Sequence, residues 1–298
     1  MTIAGVIGGW AVEVFLAIKA SLGSRPDDRM GIRSGFSTLD QMTRGFHPSK
    51  LYIAAARPGH GKTSFCTSIT ANVMLAQQHG VLFFSTELNE REILEQIAEA
   101  YVQGVPVYPN GRVSSPDEIA KLQAALFDLE RQVRLGYLHI VYKKRLTEEF
   151  LEAEIRKHCD SRMNGATALV IIDQASRIHR EDNARHGYAI ATEHMLNHLE
   201  ELAERVDVPI LLMSQANRAT ELQKEITLAN IKHSGSFEEF AHAVILLAKG
   251  ENHGKRVEGT YQMNSEAMIV VAKNRHGRVG KIPALFFGES HSWREAAQ

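Results

Sequence analysis

Residues 51–63, LYIAAARPGHGKT, decide the fold. Six apolar residues, Leu51–Ala56, read as a buried strand. A short glycine-containing turn follows, and Lys62-Thr63 opens a helical run. This is the order of a strand, a phosphate-cradling loop and a helix N-terminus. Each position has a physical task. Gly59 and Gly61 let backbone N–H groups turn inward around phosphate oxygens. Lys62 brings a point charge to the outer phosphates of a nucleoside triphosphate. The Thr63 hydroxyl can join a Mg²⁺ shell, and the helix presents its positive end. The binding candidates are therefore Ala56, Arg57, Pro58, Gly59, His60, Gly61, Lys62, Thr63 and Ser64. Ala56 stands where the general pattern has glycine. The alternative is a glycine-rich strand-to-helix turn that binds nothing.

Working outward, apolar β-type runs recur at Val81–Ser85, Leu138–Tyr142, Ala168–Ile172, Pro209–Met213 and Val244–Ala248. Their near-continuous apolar character suits strands buried on both faces of a parallel sheet. Helix starts lie between them. Ser115-Pro116-Asp117-Glu118 is a capping box with proline at the first helical position. Asn89 with Glu92, and Thr147, mark two more. The expected fold is a doubly wound, mainly parallel α/β domain with flanking helices. Towards the end, Ala267–Lys273 and Val279–Phe287 flank Asn274-Arg275-His276-Gly277-Arg278, which predicts a β-hairpin with a basic tip. At the start, Trp10–Ala20 places Trp10, Val14, Ala17 and Ile18 on one helical face, and the polar residues 21–31 with Pro26 read as a connector. The expected division is residues 1–30 as linker helix and connector, and 31–298 as one domain.

The ends of the other strands carry acids and an amide. Asp173 ends one apolar run, where it can hold a metal through water or simply cap a turn. Glu87 follows another and can orient and deprotonate an attacking water; its alternative is a helix-capping role. Gln215 follows a third and can sense a terminal phosphate, unless it is a plain turn residue. Lys273 and Arg275 are two apart and share a face of a strand, so they can serve a neighbouring subunit's site or be a solvated hairpin.

Bulk properties exclude several classes. A net charge of −1 leaves any nucleic-acid site to a local basic patch. Two cysteines, Cys66 and Cys159, have no metal spacing and fit a reducing cytoplasm. No run of about eighteen apolar residues suggests a membrane span. The apolar N-terminus lacks a basic start and is interrupted by Glu13, which argues against a secretion signal.

Taken together, the segments GFSTLDQMTRGFHPSKLYIAAARPGHGKTSF, FFSTEL, ALVIIDQ, LLMSQANRATE, HSGSFEEFAHAVILL and VVAKNRHGRVGK resemble, in order and approximate spacing, the motor domain of DnaB-type replicative helicases. The resemblance runs from Gly31 to about Phe287. Alanine at the first loop position followed by Arg57-Pro58 is specific to that family among RecA-like ATPases. It implies a RecA-like fold, ATP and Mg²⁺ as cofactors, and a homo-hexamer, ring or open helical, acting on single-stranded DNA and forked duplex with 5′→3′ polarity. Lys62 and Thr63 would bind phosphate and metal, Glu87 would be the catalytic base, Asp173 the metal-side acid and Gln215 the sensor. Lys273 and Arg275 would act in trans. Lys232, His233 and Gly235 align with the DNA-backbone loop, although the family has glutamate where His233 stands. Phe240 and His242 replace acids usual late in that motif. Arg177, Arg180, Arg185 and Arg218 are further candidates for the DNA channel, and the loop that carries the first three reads equally as a solvated charged loop. The family's N-terminal helical collar is missing, so the chain reads as a shortened form or as a collarless phage- or plasmid-type motor. Partners would be a primase or helicase loader, and the setting a bacterial cytoplasm or phage-infected host.

Two other functions share parts of this pattern. A RadA- or RecA-like recombination ATPase shares the strand-end residues and the KNR-x-G element, but it brings a four-cysteine zinc element and a further domain that this composition does not fit. A KaiC-like ATPase switch shares the nucleotide site, with turnover independent of DNA.

Overall fold

In the computed structural model, residues 30–102, 105–107, 114–159, 167–179, 188–216, 227–228, 234–250, 256–257, 260–261 and 264–296 are described. They form, in chain order, α1 (Ser37–Thr43), β1 (Leu51–Ala56), α2 (Lys62–Ala71), β2 (Gly80–Ser85), α3 (Glu90–Tyr101), α4 (Pro116–Arg134), β3 (Leu138–Tyr142), β4 (Leu146–Thr147), α5 (Glu148–Cys159), β5 (Thr167–Asp173), β6 (Ile178–His179), α6 (Tyr188–Val206), β7 (Ile210–Gln215), α7 (Ser234–Phe240), β8 (Ala243–Lys249), β9 (Arg256–Val257), β10 (Thr260–Tyr261), β11 (Asn264–Asn274), β12 (Gly280–Phe287) and β13 (Ser292–Glu295). The connector helix expected at Trp10–Ala20 lies outside the described residues.

Nine strands pair in the order β13-β12-β11-β8-β1-β7-β5-β2-β3. From β8 to β3 every pairing is parallel; β11, β12 and β13 add to the β8 edge in antiparallel fashion. Strand alternation sorts side chains between two layers. Tyr52, Ala54 and Ala56 face a core shared with Phe65, Ile69, Ile93, Ile97 and Leu129 of α2, α3 and α4. Leu51, Ile53 and Ala55 face the opposite core, with Leu151 and Ile155 of α5, Leu196 and Leu199 of α6 and Phe237 of α7. Burial on both faces explains why β1, β2, β5 and β7 read as continuous apolar runs rather than alternating ones.

The helix starts follow their local chemistry. Asn89 and Glu92 exchange side-chain-to-backbone hydrogen bonds at α3, as do Ser115 and Glu118 at α4, where Pro116 is the first residue. The Phe150 N–H donates to Thr147 Oγ1 at 3.2 Å, so Thr147 caps α5. At α1 the cap comes from far away. Phe36 at the cap position offers no acceptor, and the Glu295 carboxylate of β13 accepts from the Thr38 and Leu39 N–H groups at 2.8 and 3.1 Å. An acid at a helix N-terminus satisfies donors that the helix itself cannot.

The C-terminal region corrects one expectation. The two-stranded hairpin is the first part of a three-stranded antiparallel unit. Its first strand begins at Asn264 rather than Ala267, and the edge strand β13 pairs Trp293 with Phe286 and Ser292 with Phe287. Four residues give too short a pattern to read, and what holds β13 is its partner strand together with Trp293 buried on the core.

Candidate nucleotide site

Because β1, β2, β5, β7 and β8 run parallel, their C-terminal ends share one edge of the sheet, where ligands bind in open α/β folds. The sequence-predicted residues collect there. Ala56 ends β1 and is paired with Gln215, the last residue of β7. Ser85 at the end of β2 is paired with Asp173 at the end of β5. Glu87 lies two residues beyond β2, and the loop from Arg57 to Gly61 connects β1 to α2.

Two loop positions demand glycine: Gly59 and Gly61 both have φ of +73°, a region that side chains with a Cβ enter only at a cost. At Gly61 a Cβ would also come within 2.8 Å of the Phe286 ring and of Trp293 Nε1. Ala56, by contrast, sits in the β1 strand itself, fully buried, with no positive φ. That is why the missing first glycine leaves the loop intact. Trp293 Nε1 donates to the Gly61 carbonyl at 3.0 Å, and the Trp293 N–H donates to Ser68 Oγ at 3.1 Å. The edge strand β13 therefore buttresses both the loop and the helix that follows.

Thr63 and Asp173 meet directly: the Thr63 hydroxyl donates to Asp173 Oδ2 at 2.6 Å. Asp173 is buried, at 3% exposure. Burial pushes its carboxyl above the ordinary value and nearby Glu87 adds to this; the Thr63 hydroxyl and the Lys62 ammonium pull the other way. The Asp173 carbonyl accepts from both the N–H and the hydroxyl of Thr86, at 2.9 and 3.0 Å, which locks the segment before Glu87 against β5. Glu87 itself is half exposed, and its Oε1 accepts from Gln174 Nε2 at 2.7 Å. Arg177 Nη2 lies 3.9 Å from the same oxygen. Cys66 on α2 is fully buried; burial, then the nearby Asp173 charge, push its thiol well up, so it is packing rather than a nucleophile.

Three participants were missed by the sequence reading. Lys249, the last residue of β8, donates from Nζ to the Gly59 carbonyl at 2.8 Å and stands 3.4 Å above the Phe286 ring. Its N–H donates to His60 Nδ1 at 3.2 Å, and burial pushes its ammonium down to about 7. Gln174 and Trp293 are the others. Lys249 ends a strand on the same edge as Asp173 and Gln215, which is the signal that would have found it. Gln174 and Trp293 depend on side-chain contacts between distant segments.

The basic pair is elsewhere. The Arg275 N–H donates to the His242 carbonyl at 2.9 Å, and Asn274 pairs with Ala243 at the start of β8. The phosphate loop meets the other end of that seven-residue strand, on the order of 20 Å away at strand rise. Despite a register shift between Val271 and Lys273, both side chains turn the same way, onto the C-terminal carbonyls of α7. Lys273 Nζ donates to the Ala241 carbonyl at 2.7 Å and to that of Glu238. Arg275 donates to the Glu239 carbonyl and pairs with Glu200 at 3.5 Å. Of the DNA candidates, Arg177 and the exposed Gly235 on α7 are placed. Arg180, Arg185, Arg218, Lys232 and His233 lie outside the described residues.

Comparison with known proteins places this architecture. The replicative DNA helicase DnaB of Geobacillus stearothermophilus is 28% identical over 272 residues, covering 90% of this chain and 57% of that protein. The replicative DNA helicase DnaC of Bacillus subtilis is also 28% identical, over 273 residues, covering 90% of this chain and 57% of that protein. The chain thus spans little more than half the length of such relatives. Among solved structures, a DnaB-like replicative helicase, described with its interactions with primase, superposes with a TM-score of 0.77 at 21% identity, covering 96% of this chain and 66% of that one. The RecA-like doubly wound fold expected from the sequence is the fold found. Residues 31–295 match the family model of the DnaB-like helicase C terminal domain, and the chain belongs to that family.

Proposed function

We propose that this chain is an ATP-driven motor that moves along single-stranded DNA as a homo-hexamer, ring or open helical, and unwinds forked duplex, with the 5′→3′ polarity implied by the family resemblance. In this reading residues 31–298 are the motor and residues 1–30 the connector to a neighbouring subunit. The setting is a bacterial or phage-infected cytoplasm; no helix among the described residues is long and apolar enough to cross a membrane. Primase and loader remain its expected partners.

The observation that carries the reading is the Thr63–Asp173 hydrogen bond beside a glycine-built loop, with Glu87 one strand away. Two hard oxygen donors meeting there fit Mg²⁺, which takes few protein ligands and leaves positions for phosphate and water. Thr63 would hold the ion and Asp173 would hold it through water. When bound, it would supply positive charge that offsets the charge on the phosphate oxygens. The chain's own groups do the rest. Backbone N–H groups of residues 57–64 and the Lys62 ammonium orient the triphosphate. Glu87 takes a proton from water as the oxygen attacks the γ-phosphorus, and the bond to the β–γ bridging oxygen breaks to leave ADP. Gln215, at the end of β7 beside Ala56, reports whether the γ-phosphate is present. Arg275 stands at the opposite end of β8 from its own loop, which supports a role at the γ-phosphate of a neighbouring copy. Lys273 acts with it. Lys232, His233 and Gly235, with Arg177, Arg180 and Arg218, contact the DNA backbone, so affinity should ignore base sequence and weaken with salt.

The test is ATP turnover with and without single-stranded DNA, beside unwinding of a forked duplex. DNA-stimulated turnover with unwinding is expected. Turnover indifferent to DNA would replace this reading with a KaiC-like switch, and strand exchange without unwinding with a recombination ATPase.

A further inference from the structure

Glu87 is half exposed within the loop that follows β2, yet a general base must hold one oxygen in a fixed direction. One neighbour does this. Gln174 is buried, at 4% exposure, and its Nε2 donates to Glu87 Oε1 at 2.7 Å. The assignment of the amide is forced, because only its nitrogen can donate to a carboxylate. Its own Oε1 is buried with no hydrogen-bond partner among the described residues. Gln174 also follows Asp173 directly and precedes the single turn Ala175–Arg177. Arg177 in that turn approaches the same Glu87 oxygen, at 3.9 Å. Gln174 thus stands in the chain between the metal-side acid and the turn that carries Arg177, an exposed DNA candidate, and Gln174 and Arg177 both approach the base itself.

We propose that Gln174 is a positioning residue for Glu87, fixing Oε1 so that Oε2 faces the attacking water, and that movement of the Ala175–Arg177 turn on DNA binding acts on Glu87 through it. The inference rests on Glu87 being the base in the function proposed above. Gln174→Met keeps the length and removes the donor. It should lower kcat for ATP at least about tenfold, as a misplaced catalytic group does. KM and the unfolding midpoint should stay close to those of the parent, and the fold-stimulation by oligo-dT should shrink. A merely structural role would instead move KM and the midpoint and spare kcat in the folded fraction. Gln174→Glu sets a second acceptor against Glu87 and should cost more. It also serves as the test if Gln174→Met fails to fold. Unchanged kcat and unchanged stimulation in a folded variant overturn the proposal. Glu87→Gln, run in parallel, separates the two readings. If it abolishes turnover while Gln174→Met does not, only the positioning role falls; if it turns over normally, the assignment of the base falls and this proposal with it.

Discussion

The phosphate-loop edge and the basic hairpin are both rich in charge, but they are partnered differently. At the loop, three groups are held by partners from distant segments: Thr63 by Asp173, Glu87 by Gln174, Gly61 by Trp293. At the hairpin, Lys273 and Arg275 are held by backbone carbonyls at the end of α7. Two long cations at a helix C-terminus complement its dipole and can leave at small cost. One region is a site assembled within a single chain. The other is a pair of cations seated on backbone carbonyls, to which the proposed function gives a target outside their own chain.

The sharpest way to break that contrast is Arg275→Ala. If Arg275 serves a neighbour's γ-phosphate, turnover should fall by on the order of a thousandfold while nucleotide binding by the subunit itself is kept. Mixed assemblies of Arg275→Ala with Lys62→Ala subunits should recover activity, because some interfaces then pair two intact halves. Steady-state ATPase over a titration of the two variants checks this, and no recovery at any ratio would count against action in trans. Next in size, Gly61→Ala strains a left-handed position and drives a methyl group into Phe286 and Trp293. A cost of about 1–3 kcal/mol is expected, read as a lower midpoint in urea together with weaker ATP binding. Trp293→Phe, which removes the indole N–H donated to Gly61, should cost about 1 kcal/mol through that lost bond, and the same urea titration measures it.

A further effect separates the regions by pH. His242 lies beneath the hairpin against Tyr52, His47 and His276. Burial, then the charges of His276, His47, Lys50 and Arg275, push it from 6.5 down to about 4. Between those values the unfolded chain takes a proton that the folded chain refuses. The stability this histidine contributes is present above about 6.5 and is lost as pH falls towards about 4. Melting followed from about pH 7 to about pH 4.5 should show the decline, and His242→Gln should flatten it. An identical slope in the variant would remove His242 as the source.

The same contrast explains what could be read from the sequence. The inner parallel strands β1, β2, β5 and β7 were legible because burial on both faces imposes a run of apolar residues, and the strand ends then located Ala56, Glu87, Asp173 and Gln215. The helix starts were legible because Asn89, Ser115 and Thr147 cap locally. What stayed hidden depends on partners distant in the chain. Glu295 caps α1 across 257 residues, Lys249 reaches the loop across 190, and Gln174 reaches Glu87 across 87. The hairpin was legible as a pattern, but its third strand was not, and neither was the seat of its two cations on α7.

The support of Gly61 by Trp293 spans 232 residues of sequence. During synthesis the loop, its helix and all the parallel strands emerge before Trp293 does. The loop therefore gains its Trp293 support only once the far edge of the sheet is in place. A nascent chain would carry a recognisable phosphate loop well before it could hold a triphosphate firmly, so binding competence doubles as a report that the far edge of the sheet is in place.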